Sequence, residues 1–404
     1  MMKILFCGNV YGAGNIGDDA ILEGFVTEFK KLKEDVEIGA ISMAPEHTKS
    51  TIDIDYVWGN KLSDEKKAVK WATHIILGGG TLITDSQNIR YPLKHCCRIV
   101  DHAINAGRPI SMLATGVSDI KTNSAKRLLN NCIIPYLDLL TVRSEFDRQQ
   151  AIRAGDMNKE MIDIGADAAF SLKVETKWNP HNIIGLSLVN EGQESIGYAQ
   201  KIAKALNKFH NENPKYKYMG VCSEIRKDAQ FDYPLIKKTL AELNGEHSIQ
   251  DDYKSPQEFI SFLSQCNFVI TMRMHVLVFC SLIGVPCITM IREHKMESML
   301  NSLGIKEFLR MSSSEDEIFE KLQSVMSSPE NFLPIASNIE QLTDKSKNNL
   351  ILWQENNTNT KVHKTSKTTV LKKFTAKINT SKLKNVVIYY LGYARLCIKR
   401  LIKR

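Results

Sequence analysis

The chain has 404 residues, which is too long for one ordinary core and suits two domains with an appendage. Hydrophobic residues make up 43% and charged residues 24% of the sequence, a balance typical of soluble globular proteins. The first residues do not resemble a signal peptide, and no segment offers the ~20 apolar residues of a membrane-spanning helix. We therefore expect a cytoplasmic protein.

The net charge of +8 is concentrated at one end of the chain. From Asn356 onward there are 13 Lys or Arg residues and no Asp or Glu, which leaves 40 basic against 45 acidic residues elsewhere. Proteins that wrap nucleic acid carry basic residues across their folded surface, so no nucleic-acid partner is expected. Residues 351–404 instead predict a flexible basic tail with an amphipathic helix, which would either contact an anionic membrane at its inner face or stay in solvent.

The nine cysteines show no CxxC spacing, so the sequence indicates neither a zinc site nor a redox motif. We expect them to be buried small hydrophobic residues in a reducing compartment. No metal site is expected elsewhere either.

The first half of the chain alternates strand and helix patterns. An apolar strand at 3–10 leads into a glycine-rich turn, and a one-sided helix begins near Asp18. Further strands are expected at 36–42, 73–77, 109–117 and 138–143, and further helices near 88–106, 122–134 and 144–154. This alternation predicts a mostly parallel sheet with helices on both faces.

The pattern restarts after a polar break at 178–181. Strands are expected at 183–188, 216–222, 267–271 and 287–291, and helices at 193–209, from Ser255 onward and at 276–283. The two halves predict two facing Rossmann-like, doubly wound α/β domains at 1–177 and 178–350. Ligands of such sheets bind beyond the carboxyl ends of the strands, where the polar motifs of this chain lie.

The first motif is the loop 8–20, G-N-V-Y-G-A-G-N-I-G-D-D-A. Its glycines let the backbone approach a ligand, and the N-terminus of the following helix favours an anion. It lacks both the Gly-Lys-Ser/Thr ending of nucleoside-triphosphate loops and the dinucleotide spacing. Asn15 and Asp18 are candidate binding residues, although Asp18 would also suit a helix cap.

Two further strand ends carry candidates. The glycines at 78–80 indicate either close packing between loops or room for a ligand, and Asp85 is a candidate for hydroxyl contact or general base, with helix capping as the alternative. Arg143 would reach into the cleft and pair with a carboxylate or phosphate, or form a surface salt bridge with Glu145 or Asp147.

The strongest local feature is Arg273-Met274-His275. In a strand-like segment residues two apart point the same way, which would place a guanidinium beside an imidazole in one space. That pair combines an anion-binding group with a proton donor, whereas a lone histidine more often has a structural role. Lys295 follows the next strand and would either add charge or lie in solvent.

Taken in order, these motifs resemble the polysaccharide pyruvyl transferase family. The resembling stretches are G-x-G-N-x-G-D at 12–18, G-G-G-x-L-x-x-D at 78–85, V-R-S at 142–144, D-A-A-F at 167–170, M-R-M-H at 272–275, G-V-P at 284–286, and Lys295. Ala168 stands where the family has proline. The match runs through about 1–305 and leaves the tail outside.

The resemblance implies a GT-B-like fold and the transfer of pyruvate from phosphoenolpyruvate to two hydroxyls of a saccharide, forming a ketal. Such acceptors are usually exopolysaccharides of the cell envelope or their lipid-linked precursors, and neither a cofactor nor a metal is implied. The implied roles are donor binding by Arg143 and Arg273, general acid catalysis by His275, base catalysis by Asp85, and completion of the site by Asn15, Asp18, Met274 and Lys295.

Two other functions stay open at this point. A GT-B-type glycosyltransferase would share the fold and use a nucleotide-sugar donor, with an acidic residue for the ribose. Glu224, Glu293 and Glu297 lie at suitable strand ends. A non-catalytic anion- or sugar-binding protein tethered by its tail would bind its ligand without turnover.

Overall fold

A computed structural model of the chain describes residues 1–32, 35–85, 92–190, 192–226 and 231–358. The predicted basic tail lies outside the described residues from 359 onward. The same holds for residues 88–91, where a helix was predicted to begin.

The first sheet is built from eight strands: β1 (Met2–Cys7), β2 (Val36–Ser42), β3 (Tyr56–Gly59), β4 (His74–Gly78), β5 (Thr81–Ile83), β6 (Ile110–Val117), β7 (Leu139–Val142) and β8 (Asp163–Ile164). Its helices are α1 (Ile16–Phe29), α2 (Pro45–Thr51), α3 (Leu62–Trp71), α4 (Pro92–Ala106), α5 (Asn123–Leu128) and α6 (Glu145–Ala154). The strand order is β3-β2-β1-β4-β6-β7-β8, with β5 beside β6, and the pairs are parallel.

The second sheet contains β9 (Ile183–Ser187), β10 (Lys217–Val221), β11 (His247–Gln250), β12 (Cys266–Thr271), β13 (Cys287–Ile291) and β14 (Phe308–Arg310). Its helices are α7 (Gln193–Glu212), α8 (Asp232–Ala241), α9 (Pro256–Ser264), α10 (Met274–Ile283), α11 (His294–Leu303) and α12 (Glu315–Ser327). The strands are parallel, in the order β11-β10-β9-β12-β13-β14. The chain adds strands to one side of β9 and then to the other side, as it does around β1 in the first sheet. The predicted pair of Rossmann-like, doubly wound halves is confirmed.

Helix α1 is buried on nearly all sides, although its apolar spacing predicted a one-sided helix. Ile16 and Ala20 pack into a core cluster formed largely by the second half, whereas Phe25 and Phe29 pack on Phe6 of β1. The helix therefore lies between two cores, and each supplies a partner for one end of it. This explains why residues outside the expected stripe are also buried.

The predicted helix at 122–134 is interrupted. Helix α5 ends at Leu128, a π-turn covers Leu129–Ile133, and a 3₁₀ turn covers Ile134–Tyr136. Pro135 has no backbone N–H to donate, so a regular helix does not continue through it.

A last helix, α13 (Ala336–Thr358), returns to the first sheet. The Trp353 ring is buried 5.1 Å from the ring of Phe29, and Thr141 donates a 2.6 Å hydrogen bond to Asn349. The predicted tail beginning at residue 351 is therefore wrong for 351–358, which are helical. The apolar residues 350–352 precede Trp353, but the ring that covers this side chain comes from a distant part of the chain.

Candidate active site

The glycine loop after β1 is bonded to the chain after β10. Ile16 N–H donates to the Ser223 carbonyl at 3.0 Å, and Ile225 N–H donates to the Gly14 carbonyl at 2.8 Å. These antiparallel bonds join the carboxyl ends of the two sheets. The loop is thus a joint between the halves.

Asn15 is the residue that caps α1. Its side-chain oxygen accepts a 3.0 Å hydrogen bond from Gly17 N–H, the usual way of satisfying a free donor at a helix start. The cap considered for Asp18 is therefore supplied three residues earlier. Contact of Asn15 with a substrate stays a prediction.

A buried carboxylate, Asp167, connects Arg143 with His275. Its Oδ2 lies 3.1 Å from Arg143 Nη1 and 3.5 Å from His275 Nε2, while its Oδ1 accepts a 3.0 Å hydrogen bond from Ala169 N–H. Arg143 and Asp167 come from the first half of the chain and His275 from the second. The carboxylate therefore ties a guanidinium and an imidazole together across the two halves.

The electrostatics of this group favour ionised Asp167. Burial alone would raise its pKa, but His275 and then Arg143 outweigh burial and lower the pKa well below the ordinary aspartate range. The charge of that carboxylate faces the His275 imidazole, with Oδ2 at 3.5 Å from Nε2. The arrangement is suited to holding a proton donor in place.

Arg273 has a different carboxylate as its partner. Its guanidinium forms a two-pronged ion pair with Asp232, the first residue of α8, with Nε 3.2 Å from Oδ2. Because α10 begins at Met274, His275 lies on a helix and the strand-based argument for a shared direction does not apply. Arg273 and His275 thus contact carboxylates from opposite halves.

Three glycines leave room for polar side chains of this site. A Cβ on Gly17 would overlap the imidazole of His275, and one on Gly116 would overlap the guanidinium of Arg143. A Cβ on Gly80 would lie 2.7 Å from the amide nitrogen of Asn9. For Gly80 the structure therefore shows close packing between loops, one of the two explanations considered for its motif.

A pocket between the halves contains several of the predicted residues. Its lining consists of Arg143, Ser144, Asp147, Asp167, Phe170, Met274, Lys295, Ser298, Met299, Ser302 and Leu342. Lys295 Nζ lies 2.8 Å from Glu293 Oε2, and burial lowers the pKa of Lys295, with Glu293 opposing that shift. The pocket brings Arg143, Met274 and Lys295 together beside the carboxylate that contacts His275.

Two neighbouring carboxyl groups lie at the start of α1. Asp18 Oδ1 accepts a 2.9 Å hydrogen bond from Asn9, and burial raises its pKa although Asn9 and His275 act in the opposite direction. Asp19 accepts a 2.7 Å hydrogen bond from Gly12 N–H, and burial is the main cause that raises its pKa to about 7. Both groups would take up a proton more readily than an ordinary aspartate.

Asp85 is not brought together with these groups by any contact in the described part of the chain. It accepts 2.9 Å hydrogen bonds from Lys121 N–H and from the Thr122 hydroxyl, and so anchors the loop before α5. Its predicted role as a base stays a prediction. Among the described residues no group of three His, Cys, Asp or Glu side chains is arranged to hold a metal ion.

Sequence reasoning missed the partners of the predicted residues. The sequence shows Asp167 only as part of a motif, and it indicates no role for Asp232 or Asn9. Acidic residues close to a strand end or a helix start were the available signal. That signal does not say which arginine or histidine each carboxylate will meet.

Two parallel α/β halves, with polar residues at the ends of their strands, define a GT-B-like protein. A putative UDP-N-acetylglucosamine 2-epimerase from Listeria monocytogenes superposes with a TM-score of 0.63 at 11% identity, covering 89% of this chain and 98% of that one. UDP-GlcNAc 2-epimerase from Neisseria meningitidis bound to UDP-GlcNAc superposes with a TM-score of 0.57 at 10% identity, covering 89% of this chain and 100% of that one. The lipopolysaccharide outer core galactosyltransferase WaaB in its apo form superposes with a TM-score of 0.51 at 14% identity, covering 87% of this chain and 100% of that one.

At these identities the likeness shows the fold alone. The family model for polysaccharide pyruvyl transferase matches residues 15–294, which is more than half of the chain. The chain therefore belongs to the polysaccharide pyruvyl transferase family, a family of transferases that modify polysaccharides. No match is found among curated proteins.

Proposed function

We propose that this protein transfers pyruvate from phosphoenolpyruvate to two hydroxyls of a saccharide, forming a ketal during synthesis of a cell-surface polysaccharide. Membership of the family supports the transferase class. The observation that carries the choice of donor is the group formed by Arg143, Asp167 and His275 beside Lys295. It combines fixed positive charge with a positioned proton donor.

The cationic groups suit a donor that carries both a phosphate and a carboxylate. Arg143 and Lys295 line the pocket from opposite halves of the chain, and Arg273 lies just before α10 on the second half. Guanidinium groups bind such oxyanions through paired hydrogen bonds. A small dianionic or trianionic donor would therefore be held between the halves.

The proposed chemistry begins with proton transfer from His275 to the methylene carbon C3 of the donor. C2 then becomes electrophilic, and one saccharide hydroxyl adds to it. The C2–O bond to phosphate breaks, phosphate leaves with the bonding pair, and the second hydroxyl adds to C2 to close the ketal. Asp167 would hold the imidazole in position for the transfer.

The contacts of the acidic strand-end residues argue against a nucleotide-sugar donor. Glu224 pairs with Arg226, Glu297 pairs with Arg310 at 2.7 Å, and Glu293 pairs with Lys295. Carboxylates in ion pairs are less free to accept ribose hydroxyls. A glycosyltransferase is thus a poorer fit to these side chains than a pyruvyl transferase.

The function is tested by incubating the full chain with phosphoenolpyruvate and a panel of acceptor saccharides. Acceptor-dependent release of phosphate, with pyruvate appearing on the saccharide by mass spectrometry, is the expected result. Parallel reactions with nucleotide sugars test the glycosyltransferase alternative. Donor binding without turnover on any acceptor would instead favour a binding protein.

His275→Ala is expected to lower the rate of transfer by ~100-fold or more, because positioned general acids typically contribute that much. The readout is the initial rate of phosphate release at saturating donor. His181→Ala, which changes an exposed histidine, is the matched control. A His275→Ala rate within about tenfold of the parent rate would show that the acid is another group.

The relation of the protein to the membrane stays a prediction. No helix in the described part of the chain combines the length and apolarity needed to cross a bilayer. Contact of the tail with an anionic membrane stays a prediction, since residues 359–404 lie outside that part.

A further inference from the structure

We propose that Asp18 is the general base that takes the proton from the attacking saccharide hydroxyl. The family resemblance implies this role for Asp85 instead, and the inference rests on the proposed function. It is carried by two observations: Asn9 binds the Asp18 carboxylate, and the residue before Asp18, Gly17, touches the His275 imidazole.

The contacts of Asp85 explain why another residue is needed. Its Oδ2 accepts from Lys121 N–H and its Oδ1 accepts from the Thr122 hydroxyl, so both oxygens are engaged in holding a loop. A base must present an oxygen within hydrogen-bond reach of the proton that it removes. Asp85 would have to release the loop to do so.

Asp18 has one oxygen held by a hydrogen bond from a side chain and one without such a bond in the described part of the chain. Asn9 donates to Oδ1 at 2.9 Å, and no hydrogen bond to Oδ2 occurs among the described residues. The start of α1 does not need the carboxylate as a cap, because Asn15 supplies that cap. Gly80 leaves the space in which the Asn9 amide lies. The loops after β1 and β4 thus cooperate to orient a single carboxylate.

The proposed base directly follows, in sequence, the residue that the proposed acid touches. The imidazole of His275 rests against Gly17, the residue immediately before Asp18, and His275 and Asp18 interact electrostatically. Burial raises the pKa of Asp18, which makes it a better proton acceptor than an exposed aspartate. Asp167, in contrast, is kept ionised by its partners. Carboxylates with diverging environments commonly take different roles in one site.

The proton transfers balance over one turnover. His275 gives its proton to C3, and Asp18 takes the proton of the first hydroxyl as the new C2–O bond forms. The proton on Asp18 then leaves with the departing phosphate. The proton of the second hydroxyl returns to His275 as the ketal closes, so both residues end as they began.

The test compares Asp18→Asn with the parent protein, using the full chain, phosphoenolpyruvate and an accepted saccharide. The amide keeps the size of the side chain and its contact with Asn9 but cannot take a proton. We expect the turnover rate to fall ~100-fold or more, with the dissociation constant for phosphoenolpyruvate within about twofold of the parent value. Glu28→Gln is the control, because it removes a buried carboxylate from the same helix at its other end.

The pH profile gives a second readout. In the parent protein the rate should fall on the acidic side as Asp18 becomes protonated, at a pH above the ordinary aspartate range. The residual activity of Asp18→Asn should lack that acidic decline. A structural role of Asp18 would lower the rate without changing the shape of the profile.

The outcomes separate this inference from the proposed function. A parent protein that releases no phosphate from phosphoenolpyruvate with any acceptor overturns the function itself. An active parent with Asp18→Asn within about tenfold of its rate, or with the large loss in Asp85→Asn instead, overturns only the role of Asp18. Thermal unfolding of Asp18→Asn near the parent midpoint excludes misfolding as the cause of a loss.

Discussion

The two sheets hold their functional side chains in different ways. At the first sheet, the side chains of Arg143 and Asp167 are 5% and 0% exposed, and each has several polar contacts. At the second sheet, Arg273 and Lys295 are 23% and 32% exposed and are paired with nearby carboxylates of the same half. We call the carboxyl ends of the strands of each sheet its edge. The side chains at the first edge are therefore enclosed and held in place, whereas those at the second edge are more exposed.

This difference suggests how a donor would be bound. Arg143 is confined by the space beside Gly116 and by Asp167, so it has little freedom to move. Arg273 and Lys295 would have to exchange part of their contact with Asp232 and Glu293 for contact with the ligand. We therefore expect the first edge to fix the position of the donor and the second edge to adjust around it.

The largest effect is expected where the two edges touch. Gly17→Ala places a methyl group in the space of the His275 imidazole, so the ring must move away from Asp167. The rate of transfer should fall ~100-fold or more, as for loss of the acid itself. Alanine favours a helix more than glycine does, so the helix start should not weaken. The measurement is the transfer rate together with the midpoint of thermal unfolding.

Gly197→Ala is the matched control, because a Cβ at Gly197 in α7 would meet nothing within 4 Å. Its rate should equal that of the parent. Parent-like activity of Gly17→Ala would show that α10 can shift enough to reseat His275, and that the enclosed residues of the first sheet do not fix the position of the imidazole.

A smaller loss of activity, about 10- to 100-fold, is expected for Asp167→Asn, which keeps volume but removes the charge that holds Arg143 and His275. Removing one partner of a buried ion pair should also lower the free energy of unfolding by ~3 kcal/mol. Because the folded state lowers the pKa of Asp167, this contribution should be full above about pH 5 and decrease below about pH 4.

Urea unfolding of the parent and of Asp167→Asn between pH 3 and pH 7 measures that difference. A difference that grew as the pH fell would have the wrong sign for a stabilised carboxylate. It would show that Asp167 is not ionised in the folded protein.

The smallest effect is expected at the more open edge. Arg273→Lys keeps the positive charge but loses the two-pronged geometry toward Asp232 and the donor. We expect the KM for phosphoenolpyruvate to rise about tenfold with little change in kcat. Arg310→Lys, on an exposed ion pair, is the control. A loss in kcat as large as that of Asp167→Asn would mean that both edges are equally preset.

Much of the fold could be predicted from the sequence because its strands are continuous apolar runs covered by helices on both faces. The strand at Val36–Ser42 is an example in which pattern and structure agree. Helix α13 could not be predicted in this way. Its short apolar run at 350–353 does not reveal what covers Trp353, because the ring of Phe29 lies more than 300 positions earlier in the chain.

The grouping of three candidate residues around one pocket could be predicted from the sequence, whereas the contacts between side chains could not. Arg143, Met274 and Lys295 line one pocket, as their positions at strand ends indicate. The pairing of Asp167 with His275 depends on two segments that are distant in sequence. Periodicity reports which face of an element is buried, and it contains no information about the partner across an interface.

The return of α13 also has a consequence for the order in which the protein is made. Phe29 and His74 pack on Trp353, and Thr141 bonds to Asn349, so the first half needs a piece encoded near the end of the described chain. During translation that half would emerge early and wait, with an apolar face uncovered, until the second half had been synthesised. The two halves are thus linked by two crossings of the chain, and a fragment ending at residue 177 would lack part of its own core.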